Sequence, residues 1–467
     1  MNLLELKEAV FTHTPILKKI LQAKGKIPLR NYFEESLTLH NSISSVRKEE
    51  LLSVVKKIID GVINPAITES ALTQLRQYYY VSTADHHGPI THPFFVNSHL
   101  AQSFANSKHN LKNIFVFSCA GISLNNSSFP RGILFHDQEL KKKRIRFVSL
   151  KDRHHPVFAF PAYKKSELES RLHQQYSEVT NEKIKQLIEQ IYLDKKLFSY
   201  TWYSDQISQT NYYLWKQIPG QESVNLIYLE QENIVRELLL QHHLHTPTLI
   251  NRLLTDESIL EMFEKYFDGI QGAFSSTEKR GTILFWTIHE GERKQLRHRK
   301  KILETNDGSY QIALDSSAIR EALEKKELMP SMALSFIVLS FYYGITCGGG
   351  FLQVNYLTQM KEAYVRLLKK IGELEDLKSV ESIKTDFFCG EFVFATLGNK
   401  NRSGHASSID LMLYENKEFS ARLQELSELC TLGEAVDMMM PNFYKILYGT
   451  EAPIRPPISN FPPSLYV

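Results

Sequence analysis

Cysteine is scarce in this chain: Cys119, Cys347, Cys389 and Cys430 lie far apart in 467 residues and form no CxxC pair. That spacing argues against a disulfide framework and for reduced thiols in a reducing compartment, with the cytoplasm as the expected location. Excess charge of one sign is missing too, since 55 basic residues against 52 acidic ones leave +3. No global field therefore draws the chain to nucleic acid or to an anionic membrane. The basic runs "LKKKRIR" (140–146) and "RKQLRHRKK" (293–301) read as solvated hairpin segments, and zinc-finger, RNP and helix-turn-helix signatures are lacking. Neither a nucleic-acid nor a membrane partner is expected.

Long apolar runs are also absent. "MNLLELKEAVFTHTPILKKIL" mixes charged and apolar residues at helical spacing, without the apolar core of a secretion signal. The most apolar segment, Pro330 to Thr346, is shorter than the roughly 20 residues of a membrane-spanning helix and reads as a helix buried in protein. There is no fixed-period repeat and no low-complexity tract, which argues against solenoids and propellers.

What remains is the composition of a folded globule large enough to bury a site: 43% hydrophobic and 23% charged residues. Residues 1–77 form a helical N-terminal layer by their i, i+3, i+4 apolar spacing. Residues 78–161 are strand-rich, with "YYYVST", "IFVFSCAG", "GILFH", "RIRFVSL" and "VFAFPAY" between Gly, Pro, Asn and Ser. Residues 162–267 return to the helical period as an insertion or subdomain, with Thr180 placed to cap the helix in "TNEKIKQLIEQIYL". A mixed region, 268–450, and a proline-rich arm, 451–467, complete the chain. The expected fold class is mixed α/β, with more helix than strand and a central sheet built from residues 78–161 and 281–314 under helical layers.

Eight of the 17 histidines fall between His86 and His155. Imidazole is the commonest ligand for zinc and iron, and site residues sit on loops where a sheet fixes them. "VSTADHHGPITHP" ends a strand with such a group. Adjacent residues at a strand end face opposite sides, so His86 and His87 do not share one ion. His87 and His92 are the expected ligands with His86 or Asp85, and His136, Asp137, His154 and His155 are candidates for the remaining position. His155 completes the expected metal set, while Asp85, His86, Asp152 and His154 are the acid-base candidates.

Two loops read as substrate holders. In 115–135, Ser118, Asn125, Asn126, Ser127 and Ser128 cup an anion that Arg131 forks; in 149–161, Lys151 and Arg153 bind the same kind of group. Gly348, Gly349 and Gly350, ahead of a helix, let backbone approach a ligand.

"VSTADHHG" resembles the Asp-His-His motif of the DHH phosphoesterases, which implies bound manganese, and "CGGGF" resembles that family's glycine-rich motif. "STADHHGPITHP" is similar to the strand-end Glu-x-His-Gly-Pro of the creatininase-like amidohydrolases, with the acidic residue displaced. Each match covers only the quoted stretch, and the earlier aspartate motifs of the first family have no counterpart in 1–77, so no family is assigned.

The functional expectation is divalent-metal-assisted conversion of a small polar, anionic metabolite, with zinc, iron or manganese as cofactor and hydrolysis as the first reaction to consider. The alternatives are a metal-free transferase or isomerase with an anion-binding glycine loop, and a non-enzymatic interaction module.

Overall fold

In "NIFVFS" every side chain is buried, Ile114 and Val116 in one hydrophobic core, Phe115 and Phe117 in another. A strand turns successive side chains to opposite faces, so a sheet with a core on each face demands an unbroken apolar run. "NLIYLE" is built the same way, with Leu226 and Tyr228 in the first core and Ile227 and Leu229 in the second.

The computed structural model describes residues 1–39, 43–126, 131–137, 139–179, 181–398, 403–413, 417–452 and 465–466. Ser127, Ser128, Thr180 and the body of the proline-rich arm, 453–464, lie outside the described residues. In chain order the principal strands are β1 (Tyr80–Ser82), β2 (Asn113–Ser118), β3 (Gly132–His136), β4 (Lys142–Arg146), β5 (Asn225–Glu230), β6 (Phe285–His289), β7 (Glu292–Arg299), β8 (Ile302–Thr305), β9 (Gln311–Ala313), β10 (Leu328–Pro330) and β11 (Thr346–Gly348).

Four of them form a parallel sheet in the order β11-β1-β2-β5. The chain steps from β1 to β2 to β5 in one direction, then crosses back to lay β11 along the other edge of β1. The winding therefore reverses between β1 and β11. Helices cover both faces, as parallel sheets require. Helix Pro93–Ser107 delivers Val96, Leu100 and Phe104 to the first core, and helix Ser45–Val62 delivers Leu52, Val55 and Ile59 to the second. A separate five-stranded antiparallel sheet has the order β9-β8-β7-β6-β10, and β3 and β4 form a hairpin of their own.

The mixed α/β class, richer in helix than in strand, is as expected. The membership of the sheet differs. Only β1 and β2 come from 78–161, the strands of 281–314 join β10 in the antiparallel sheet, and β5 and β11 complete the parallel one. β5 was hidden because "NLIYLEQENIVRELLL" passes from strand to helix with no turn residue between, so the strand's apolar run merges with the helical stripe. In "VFAFPAY" Val157 and Phe158 are buried in a single 3-10 turn, filling the core with only isolated backbone bonds to Ile122 and Ala120 in place of a strand ladder. The segment 330–346 is buried as expected, as a short helix, Met332–Phe336, that widens into a π-helical turn, Ile337–Tyr342. Among the described residues no helix is long and apolar enough to cross a membrane.

Candidate active site

In open parallel α/β sheets ligands bind beyond the carboxyl ends of the strands, where the winding reverses. Here that place is a cleft of about 420 Å³. Thr83, Ala84, Asp85 and His86 continue from β1, Cys119 and Gly121 from β2, Gln231 and Glu232 from β5, and Gly350 from β11. Trp286 and Arg293, from β6 and β7 of the antiparallel sheet, supply another wall. The volume falls within the roughly 300 to 1,000 Å³ of small-molecule pockets.

Backbone pairing holds the loops beyond the strands. Cys119 N donates to Asp85 O at 2.9 Å and His87 N donates to Cys119 O at 2.7 Å, extending the β1 to β2 pairing past its last strand residues. Thr83 donates from both its N and its Oγ1 to Gly348 O, at 2.8 and 2.9 Å, which ties β1 to the glycine loop.

Two carboxyls stand out. Glu232, in the first turn after β5, accepts Ala120 N at 2.8 Å through Oε2 and Gly121 N at 2.9 Å through Oε1, and the Cys119 thiol lies 3.2 Å from Oε1. Burial, aided by the negative charge of Glu230, pushes its pKa up to about 7, against the downward pull of those donors. Glu391 sits in the left-handed region at φ 66° and accepts Phe351 N at 2.7 Å, ahead of helix Gln353–Ile371. Burial and the nearby Asp85 push it likewise to about 7. Both carboxyls therefore exchange protons near neutrality, the range suited to general acid-base work. Arg293 lies with its guanidinium 4.2 Å from the Trp286 ring centre and donates to Gly121 O.

The residues singled out from sequence divide into those at the cleft and those away from it. Asp85, His86 and Gly350 line it. Asp85 is buried with Oδ2 2.9 Å from His99 Nε2, and burial holds the His86 imidazole below its ordinary pKa.

His87 faces the sheet. Burial keeps its ring neutral, and its nitrogens lie 2.7 Å from Ser118 Oγ and 2.9 Å from Ser204 O, so Nε2–H donates to the carbonyl and Nδ1 accepts from Ser118. Neither nitrogen is left for an ion, and Ser118 is withdrawn from substrate. His92 caps helix Pro93–Ser107 by accepting Phe94 N at 3.5 Å, and burial lowers its pKa to about 3. His155 Nδ1 donates to Pro156 O at 2.9 Å, with its ring against Phe160. His136 is held by Asp410 at 2.7 Å, and Asp137 caps its own hairpin turn. The expected metal set His87, His92 and His155 is thus not brought together, because helix capping and carbonyl pairing claim the rings. Among the described residues no three His, Cys, Asp or Glu side chains converge to hold a metal ion.

The two substrate loops do meet, but outside the cleft. Asn125 N donates to Arg153 O at 3.1 Å and Leu124 N to His155 O at 2.9 Å. Within that layer Asn126 Nδ2 donates to Ser123 O, Arg131 donates to Val148 O, Asp152 accepts Ser149 Oγ, and Arg153 Nε donates to His154 Nε2. Lys151 is exposed on the same loop. None of these lines the cleft. Gly348 and Gly349 serve close packing: a Cβ on Gly348 would lie 2.6 Å from Tyr80 Oη, and one on Gly349 2.7 Å from the Gln353 side chain.

Glu232, Glu391, Cys119, Arg293 and Trp286 were not singled out by the sequence as site residues. Glu232 carried a usable signal, an acidic residue just after a strand and in the first turn of a helix. Glu391 carried none. Compared with known proteins, the chain matches no family model and no curated protein.

Proposed function

We propose that this chain is an enzyme that moves protons on a small polar molecule bound in the cleft, with Glu232 and Glu391 as its acid-base groups. The observation that carries the reading is that two carboxyls held near neutrality line one ligand-sized cleft where the winding of a parallel sheet reverses. The reaction class is that of an isomerase or a proton-assisted group transfer, and no divalent metal is assigned a role because the imidazoles expected as ligands are engaged elsewhere. Asp85, anchored by His99, and Arg293, lying over Trp286, orient the bound molecule.

A thermal-shift screen of small metabolites against the purified chain, followed by NMR of any stabilising compound in D₂O, tests this. Deuterium incorporation or conversion is expected, and it is lost in Glu232→Gln or Glu391→Gln. The reading falls if stabilising compounds stay unchanged and undeuterated, or if a chelator abolishes the turnover. Elemental analysis of the same preparation tests the metal-free assignment separately.

A further inference from the structure

The cleft offers acceptors where an anion would need donors. The N–H pair of Ala120 and Gly121, a ready anion cradle, is filled by Glu232. The N–H of Phe351, ahead of helix Gln353–Ile371, is filled by Glu391. Both places where backbone would grip a phosphate or carboxylate are thus closed by the chain's own carboxyls. A third carboxylate, Asp85, is 1% exposed, and its Oδ1 has no hydrogen-bond partner among the described residues. Against these three acids the described lining holds one arginine, Arg293, and no lysine. Trp286, Phe336, Phe351 and Tyr356 add aromatic rings to the same wall, and ring faces attract organic cations.

We infer that the ligand of this cleft is a protonated amine, whose N–H donors are received by Asp85, Glu232 and Glu391. The inference rests on the acid-base cleft proposed above and names the charge of what it takes. A cation arriving beside carboxyls that are partly protonated favours their ionised forms, so binding releases protons; an anion would draw protons in. The sign of the proton exchange therefore reports the charge of the ligand.

The experiment is isothermal titration of the full chain at about pH 7, in two buffers of different ionisation enthalpy, with primary amines from ethylamine to spermidine and with citrate and glucose 6-phosphate as anions. Amine binding with net proton release is expected. Glu391→Gln and Glu232→Gln should each weaken it by about tenfold or more, and each should reduce the protons released. Circular dichroism establishes folding, and Glu391→Gln carries the test if Glu232→Gln does not fold. Anion binding with proton uptake that Glu391→Gln strengthens overturns the amine assignment and leaves the cleft standing. Failure of every amine to bind overturns the assignment as well. Binding of either class that Glu232→Gln, Glu391→Gln and Arg293→Ala all leave unchanged puts the ligand elsewhere and removes both readings.

Discussion

Asp85 Oδ2 lies 2.9 Å from His99 Nε2, and each residue is 1% exposed. His99 reaches this carboxylate from helix Pro93–Ser107, so a residue of the covering helix fixes the direction in which a cleft residue points. Removing one member leaves the other buried without a partner, which costs about 3 kcal/mol or more. His99→Ala should therefore lower the unfolding free energy by about that amount, read as a lower urea midpoint at constant slope, and should weaken amine binding. A loss under about 0.5 kcal/mol would mean that the pair is not formed in solution.

Glu232 makes stability depend on pH in a defined sense. Its folded pKa of about 7 lies above the unfolded carboxyl value of about 4.3, so between those values the folded state alone holds the proton. Stability from this group is thus full at low pH and is lost as pH rises through about 7. Glu232→Gln lacks the ionisation. Relative to wild type it should gain about 3 kcal/mol between about pH 4 and about pH 8, set against a constant loss of about 1 kcal/mol from its poorer hydrogen bonding. Denaturant unfolding at the two pH values measures the difference, and a pH-independent gap would show that Glu232 is not held near neutrality.

His87 offers a contrast between a ligand and a structural ring. It is fully buried and both nitrogens are bonded. His87→Ala should destabilise the fold by about 2 to 4 kcal/mol while leaving the metal content of the purified chain unchanged. A stoichiometric metal lost with the ring would reverse the assignment.

Cys119 is half-buried in the cleft wall, whereas Cys347, Cys389 and Cys430 are buried. Burial first, and then the negative Glu232, push its pKa well above the ordinary thiol range, so iodoacetamide should modify Cys119 ahead of the others but slowly. Glu232→Gln removes the neighbouring negative charge and should speed the alkylation several-fold. Equal labelling of all four thiols in the folded chain would contradict the placement of the other three.

Legibility in the sequence followed the range of the interactions. "NIFVFS" reads as a doubly covered strand because six consecutive buried side chains leave an apolar run that needs no knowledge of its neighbours. "NLIYLE" has the same pattern yet is masked by the helix that follows it without a break. Asp85 and His86 were recognisable as strand-end chemistry, and Gly350 as a close-approach glycine ahead of a helix, and all three line the cleft. The histidine density beside them misled, because a ring that caps a helix, as His92 does, or pairs with a carbonyl, as His87 does, looks the same in one dimension as a ring that binds an ion.

Local pattern alone determined the α/β class, the buried strand of β2 and the chemistry at the end of β1, since these depend on periodicity and on neighbours within a few residues. Tertiary structure decided which strands share the sheet, and it set Glu391 and Arg293 against Gly350 and Gly121, from positions 41 and 172 residues away in the chain. It decided the protonation of the cleft as well. A carboxyl's pKa is set by the water and charge that surround it in space, and for Glu232 and Glu391 those surroundings exist only once the sheet has wound back on itself.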